Sequence, residues 1–235
     1  MHLPVIDLPT ELAKLKAQDW IKSHRRTETG IGKTIEDLLG IIENPNSLPD
    51  CNYNGHDVEL KAHRMHSNSM ITLFTLEPGT RHLDDVELME KYGYNDINGR
   101  LALKITLSTQ QTTPQGLRLR TNTTAGTISI VDTSGYEPWV WTTSDIHLKL
   151  HNLCIIYCDS MKRGEDEYFK VEKATLLTGL DDRKFFGLVD SGNVKVDLRM
   201  HQKDTGASRN HGTAFRTSSW YRLASCYQNQ QAILA

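Results

Sequence analysis

Residues 49–63 read PDCNYNGHDVELKAH, and the reading of this stretch decides the fold. From His56 to Ala62 the residues alternate. Val58 and Leu60 fall on one face, and Asp57, Glu59 and Lys61 fall on the other, the two-residue period of a half-buried strand. Pro49-Asp50 lies in the turn before it. A strand that puts Glu59 and Lys61 on one face, with Asp50 supplied by the preceding turn, gathers two carboxylates and one ammonium around a point. Metal-assisted phosphodiester hydrolysis needs such a set: hard carboxylate oxygens hold Mg²⁺, and a cation orients the attacking water. Asp57 shares the face of Glu59 and rivals Asp50 as the first acid. The pattern is short, and an alternating charged strand also describes a solvated sheet face. A second acid-x-Lys run, Asp182-Arg183-Lys184, lies in a stretch read as helix, where residues two apart diverge.

Upstream, residues 8–22 read as a helix on the spacing of Leu8, Leu12, Leu15 and Trp20. After the basic turn SHRRTETG, a second helix runs from about Gly32 to Ile42, with Ile31, Ile35, Leu38, Leu39 and Ile42 as its apolar stripe, and stops at Asn44-Pro45. Downstream, SMITLFTL (69–76) and LALKITLS (101–108) read as strands, the latter with Leu101, Leu103, Ile105 and Leu107 inward. RLRTN, TISIVD and EPWVWT continue as short strands, followed by a helix near 143–151 and the strand LCIIYC. YFKVEKATLL (168–177), VKVDLRMH (194–201) and HGTAFRT (211–217) are strands; LDDRKFFGLVDSG is a helix stopped by Gly192; SSWYRLASCY is a helix capped by Ser218 or Ser219. The sum is α/β, a mixed sheet flanked by helices rather than a regular βαβ repeat.

The chain has 235 residues, with 27 Lys+Arg against 29 Asp+Glu and a formal net charge of −2. That excludes a bulk-basic, histone-like binder but not a local basic cleft, because the field depends on where charges sit. With 38% hydrophobic residues the chain is globular in composition, and no apolar run approaches the roughly 20 residues of a membrane span. Asp7 and Glu11 fall where a signal peptide would be apolar. Cys154 and Cys158, four apart in an apolar strand, read as buried free thiols, and no CxxC pair suggests zinc. A reducing, cytoplasmic setting follows as the expectation.

Two further patterns bear on function. GIGKT suggests a phosphate loop, but the glycine that pattern needs five residues earlier is Thr27, and no apolar strand precedes it. A glycine-rich helix start remains, whose free N–H groups can meet a DNA phosphate. From Lys195 to Arg222 there are six cations (Lys195, Arg199, Lys203, Arg209, Arg216, Arg222) against Asp197 and Asp204. Positive charge holds the DNA backbone; Arg can bond guanine bidentately and Asp can accept from cytosine. A G·C-rich target therefore suits Asp197, Arg199, Arg209, His211 and Arg216, although a generic basic face fits the same residues. The 109–125 segment with Arg118 and Arg120 is the other place a recognition surface could lie.

GIGKTIEDLL, PD, HDVELK, MITLF, VKVDLR and HGTAFR, in this order along the chain, resemble the MvaI/BcnI group of type II restriction endonucleases, within the PD-(D/E)xK superfamily and related to the repair nickase MutH. The resemblance implies a PD-(D/E)xK core with two lobes around a DNA cleft. Residues 1–108 would be the catalytic lobe, completed by strands from about 150–180, with 109–149 and 181–235 as the recognition lobe. It implies Asp50 and Glu59 as metal ligands with the Leu60 carbonyl as a third, Mg²⁺ as cofactor, and Lys61 as the water-positioning cation. Glu36 matches an acid kept near the site. It also implies Asp197, Arg199, His211 and Arg216 as base readers, with Arg209 where the family pattern has a histidine. The insertion CNYNG departs from the family's tight turn and keeps Asp57 in play. The implied function is Mg²⁺-dependent cleavage of double-stranded DNA at CCWGG, with CCSGG or CCNGG as runner-up, by a monomer nicking the strands in turn. A cognate DNA methyltransferase would act in the same cell without direct binding. The alternatives are a MutH-like nickase and an inactive sequence-specific DNA-binding protein.

Overall fold

The structure, a computed structural model, describes residues 3–42, 48–67 and 69–235. The chain divides into two units, and each is taken by itself. The first holds residues 1–68, 151–180 and 227–235; the second holds 69–150 and 181–226.

The first unit is built on a mixed six-stranded sheet. The His56–Arg64 strand pairs parallel with Asn152–Arg163 and antiparallel with Cys51–Tyr53. Asn152–Arg163 continues antiparallel into Asp166–Leu180, which also pairs with Ile21–Lys22 and Tyr227–Leu234. Helices Leu8–Ala17 and Gly30–Leu38 pack on one face. Leu8, Leu12, Leu15, Ile31 and Ile35 meet Val58, Leu60, Cys154, Ile156, Cys158, Phe169 and Val171 there in one core. The strand alternation read from the sequence aims Val58 and Leu60 into this core and leaves Glu59 and Lys61 on the opposite face. The four cysteines are buried free thiols, as expected for Cys154 and Cys158.

The CNYNG insertion has a definite form. Cys51–Tyr53 is a strand, and Asn54 and Gly55 both take positive φ (50° and 79°) as the two central residues of a hairpin turn. The insertion thus folds back on His56–Arg64 and keeps Asp50 beside it.

The second unit holds two antiparallel sheets. One runs Ile71–Thr75, Ala214–Thr217, Val194–Gln202, Leu101–Leu107, Tyr94–Asn95; the other runs Thr80–Arg81, Trp139–Thr142, Thr127–Asp132, Leu117–Asn122. Aromatic rings join them: Trp141 of the second sheet meets Phe215 of the first edge-on at 5.6 Å, and Phe215 stacks on its own sheet's Phe74 at 4.7 Å. Helix Asp85–Tyr92 opens with a full capping box, in which Asp84 and Glu87 bond each other's backbone.

Several sequence expectations need correction. The lobe boundary at residue 108 is displaced: Ile71–Thr75 and Leu101–Leu107 pair with strands after residue 190 and belong to the second unit, while Tyr227–Leu234 joins the first. Sequence-distant strand pairing, which local periodicity does not report, decides this. The first helix ends at Ala17, and Trp20 lies past it, beyond Asp19 at φ 59°. The second begins at Gly30 and ends at Leu38, before Gly40 in the left-handed region at φ 72°. The stop read at Asn44-Pro45 lies outside the described residues. The helices Asp85–Tyr92 and Trp220–Ala224 are too short to carry a clear apolar stripe, so the spacing gives no sign of the first and overextends the second. The polar strand Tyr227–Leu234 carries no alternation to mark it.

Candidate active site and recognition face

Asp50 sits where the first hairpin strand begins. Its backbone N–H donates to the Val58 carbonyl at 3.0 Å, and its carboxylate Oδ2 accepts from the Leu60 N–H at 2.6 Å. A residue's N–H and C=O leave a strand on the same side, so the Leu60 carbonyl lies along the edge that Asp50 occupies. Lys61 Nζ donates to Glu59 Oε1 at 2.7 Å on the neighbouring positions of the strand face. Burial pushes the Asp50 carboxyl up to about 7, helped by the nearby charges of Glu59 and Glu36 and opposed by the Leu60 N–H and Lys61. Asp50, Glu59, Lys61 and Glu36 therefore form one electrostatic cluster. Glu36 arrives from the Gly30–Leu38 helix, with Lys33 Nζ 3.5 Å from its carboxylate. Lys33, read as a fragment of a phosphate loop, is tied more closely to Asp37, at 2.8 Å.

Asp57 is placed differently. It stands opposite Asn52 in the hairpin, is exposed, and accepts from Asn52 Nδ2 at 2.8 Å. Hairpin pairing thus separates the two rival acids: one folds onto Leu60 and Glu59, the other faces the turn.

The donor chemistry of this corner fits Mg²⁺. A carboxylate that resists ionisation because it is buried, and because Glu59 and Glu36 lie nearby, gains from a divalent cation, and hard oxygen donors are what Mg²⁺ prefers. Among the described residues no three His, Cys, Asp or Glu side chains converge as a cage. The fit rests on the oxygen donors of Asp50, Glu59 and the Leu60 carbonyl.

In the second unit, Lys195, Asp197, Arg199 and His201 alternate with the buried Val194, Val196, Leu198 and Met200. The polar set faces Arg216, Thr106 and Lys104 across the neighbouring strands. Five cations (Lys104, Lys195, Arg199, Arg209, Arg216) thus lie along one sheet face around Asp197, and Lys104 is also 3.6 Å from Asp96. Asp197 is buried and fully engaged: Oδ1 accepts from Thr106 Oγ1 at 2.7 Å, and Oδ2 accepts from Arg216 at 2.6 Å and from Arg199 at 3.0 Å. Burial pushes its carboxyl up, but the bonds from Thr106 and Arg216 outweigh that and hold it below the ordinary range. Arg216 is 13% exposed and also donates to the Met70 carbonyl at 2.9 Å; Arg199 is 52% exposed. Arg209 and His211 are exposed. The His211 N–H donates to the Arg199 carbonyl at 3.0 Å. The face brings together all five residues expected to read bases. Sequence reasoning missed Lys104, Thr106 and His201, though the alternation in LALKITLS and VKVDLRMH placed them on the outward positions. Arg120, in the other sheet, is tied to Glu137 at 2.6 Å.

A family model described as the MvaI/BcnI restriction endonuclease family matches residues 10–225. The chain belongs to that family. Its enzymes are restriction endonucleases, so this member of the MvaI/BcnI family is a type II site-specific endonuclease. Among solved structures it is similar to restriction endonuclease MvaI in complex with its cognate DNA substrate, with a TM-score of 0.81, 26% identity and 97% of each chain covered. It is also similar to MvaI in the absence of DNA, with a TM-score of 0.57 and 26% identity, over 97% of this chain and 96% of that one. No match is found among curated proteins. The mixed sheet with its flanking helices is thus the MvaI fold. No helix among the described residues is long and apolar enough to cross a membrane.

Proposed function

We propose that this family member is a Mg²⁺-dependent endonuclease that cuts double-stranded DNA at CCWGG, as a cytoplasmic monomer nicking the two strands in turn. A cognate methyltransferase would protect the host DNA without binding the enzyme. The observation that carries the chemistry is the corner of Asp50, Glu59 and Lys61, where a carboxylate held near neutrality abuts a second carboxylate and its paired ammonium.

Asp50, Glu59 and the Leu60 carbonyl would hold the Mg²⁺. When bound, that ion supplies positive charge against the charge that develops on the phosphoryl oxygens. Lys61, held by Glu59, orients the attacking water and stabilises the same charge from the side. Glu36, whose charge reaches Asp50, tunes the field of the acid pair. In-line attack on phosphorus leaves a 5′-phosphate and a 3′-hydroxyl.

On the second unit, Arg199, Arg209 and His211 present polar edges to the bases, while the Lys104 and Lys195 cations hold phosphates. Asp197 contributes from behind, since its bonds to Arg199 and Arg216 set the planes of both guanidinium groups. Incubation of supercoiled plasmid with the protein and Mg²⁺, followed by sequencing of the ends, tests the proposal. The expected result is an open-circular intermediate that becomes linear, with every end inside CCWGG. Nicks at an unrelated, methylation-dependent sequence would instead mark a MutH-like enzyme, and an uncut plasmid would mark an inactive binder.

A further inference from the structure

The segment Asn210–Thr213 carries His211, and its backbone is anchored by a residue far away in sequence. Glu77 Oε1 accepts from the Thr213 N–H at 3.0 Å, and Glu77 Oε2 accepts from Asn210 Nδ2 at 3.3 Å. The same carboxylate pairs with Arg81 at 2.5 Å. Arg81 lies over the buried Trp139 ring, with 5.1 Å to the centroid, and also pairs with Asp85 at 3.2 Å. Glu77 is therefore fixed to the core before it grips the segment. The Leu76 N–H donates to the Thr213 carbonyl at 2.9 Å, and the Gly212 N–H donates to Asn210 Oδ1 at 2.9 Å. Gly212 takes φ 88°, which a residue bearing a Cβ rarely adopts, so the turn is sharp and specific.

The His211 ring is held separately. It stacks on His201 with centroids 5.6 Å apart and planes 30° apart. His201 is 9% exposed, and its Nδ1 is a buried atom with no hydrogen-bond partner. A buried imidazole that uses no bond at Nδ1 is present for its ring more than for that nitrogen.

We infer that Glu77 and His201 are positioning residues for base recognition, a clamp that fixes His211 from its backbone and from its ring face before DNA arrives. The inference rests on the proposed reading of His211 as a base reader. A group held in place beforehand loses less freedom on binding, and its hydrogen bond discriminates more sharply because the wrong base cannot be met by a small shift. Neither residue needs to touch DNA.

The test uses the whole enzyme with variants Glu77→Ala, Glu77→Gln, His201→Ala, His201→Phe and His211→Ala. The first measurement needs no DNA: amide exchange at Thr213 should rise about tenfold or more in Glu77→Ala and stay near wild type in Glu77→Gln, which keeps an acceptor for that N–H. The His211 ring resonances should move in His201→Ala and far less in His201→Phe. The second measurement is the ratio of kcat/KM on a cognate duplex to that on a duplex with one substituted pair. That ratio should fall about tenfold in Glu77→Ala, His201→Ala and His211→Ala, and recover in Glu77→Gln and His201→Phe. The Glu77→Ala/His211→Ala double variant should be no worse than His211→Ala alone, since the clamp acts through His211. Unchanged Thr213 exchange in Glu77→Ala, or full discrimination in both alanine clamp variants while His211→Ala loses it, would overturn the clamp. Loss of discrimination in His201→Phe equal to that in His201→Ala would overturn its ring-only role. A silent His211→Ala would instead overturn the reading of His211 on which the clamp depends, and the exchange data would still report whether the segment is tethered.

Discussion

Replacing Asp50 by asparagine should make the metal-free protein more stable at pH 8 while destroying its catalysis. The Asp50 carboxyl is pushed from 3.8 up to about 7 by burial and by the charges of Glu59 and Glu36. A group whose folded-state value is raised holds its proton where the unfolded chain has lost it. Stability is then fully present below about pH 4 and is lost progressively as the pH rises to about 7. Three units at about 1.4 kcal/mol each set an upper bound of about 4 kcal/mol on that loss. The substitution removes the charge that burial and the neighbouring acids oppose but leaves a polar group in the same place, so it should recover part of this, roughly 2 kcal/mol. The asparagine side chain keeps an oxygen for the Leu60 N–H, which lies 2.6 Å from the Asp50 carboxylate, and turns an amide donor toward the remaining acids. The assay is urea denaturation in EDTA at pH 8 and at pH 4, with and without added Mg²⁺. The Asp50→Asn variant should gain at pH 8 and gain nothing at pH 4. Mg²⁺ should stabilise the parent, by about 2.7 kcal/mol at a hundredfold excess over its Kd, and leave the variant unchanged. An equal gain at both pH values would mean that the effect is steric rather than ionic. No gain at pH 8, with an equal response to Mg²⁺ in both proteins, would remove Asp50 from the site.

Lys61→Ala should slow plasmid cleavage by at least about a hundredfold while leaving duplex affinity in Ca²⁺ within a few-fold, because one cation among many phosphate contacts adds little to binding but much to the transition state; near-normal cutting would refute the assignment. Asp57→Asn should leave cleavage and its Mg²⁺ requirement almost unchanged, since Asp57 is exposed and bonds Asn52 rather than the Leu60 N–H; a loss here with a silent Asp50→Asn would exchange the two roles. Arg199→Ala should cost about ten- to a hundredfold in affinity for a CCWGG duplex, with little change on a scrambled duplex and little change in melting temperature, because this side chain is 52% exposed. Arg216→Ala should lower the same affinity and, unlike Arg199→Ala, destabilise the fold by about 3–5 kcal/mol, because it takes a buried charged partner from the buried Asp197. Equal melting temperatures for the two arginine variants would contradict the buried pair.

By itself the sequence determined what depends on neighbours along the chain. The two-residue period of HDVELKA put Glu59 and Lys61 on one face and Val58 and Leu60 in the core, because a strand's geometry fixes the direction of each side chain. The same rule buried Cys154 and Cys158 and turned Asp197 and Arg199 to one side of their strand. The motif order was specific enough to carry the family resemblance. Other features depended on residues far apart meeting, and only the tertiary structure decided them. The hairpin turn at Asn54-Gly55 placed Asp50 and Asp57 differently, the first against the Leu60 N–H and the second against the Asn52 amide. Sheet pairing moved Ile71–Thr75 and Leu101–Leu107 into the second unit and returned the C-terminal strand to the first. Cross-strand neighbours Thr106 and Arg216 turned Asp197 from an open acceptor into a buried anchor, and Glu77 reached across 136 positions to the backbone of Thr213. Local spacing tells which way a side chain points; what it meets there is set by strands that sequence distance keeps apart until the chain folds.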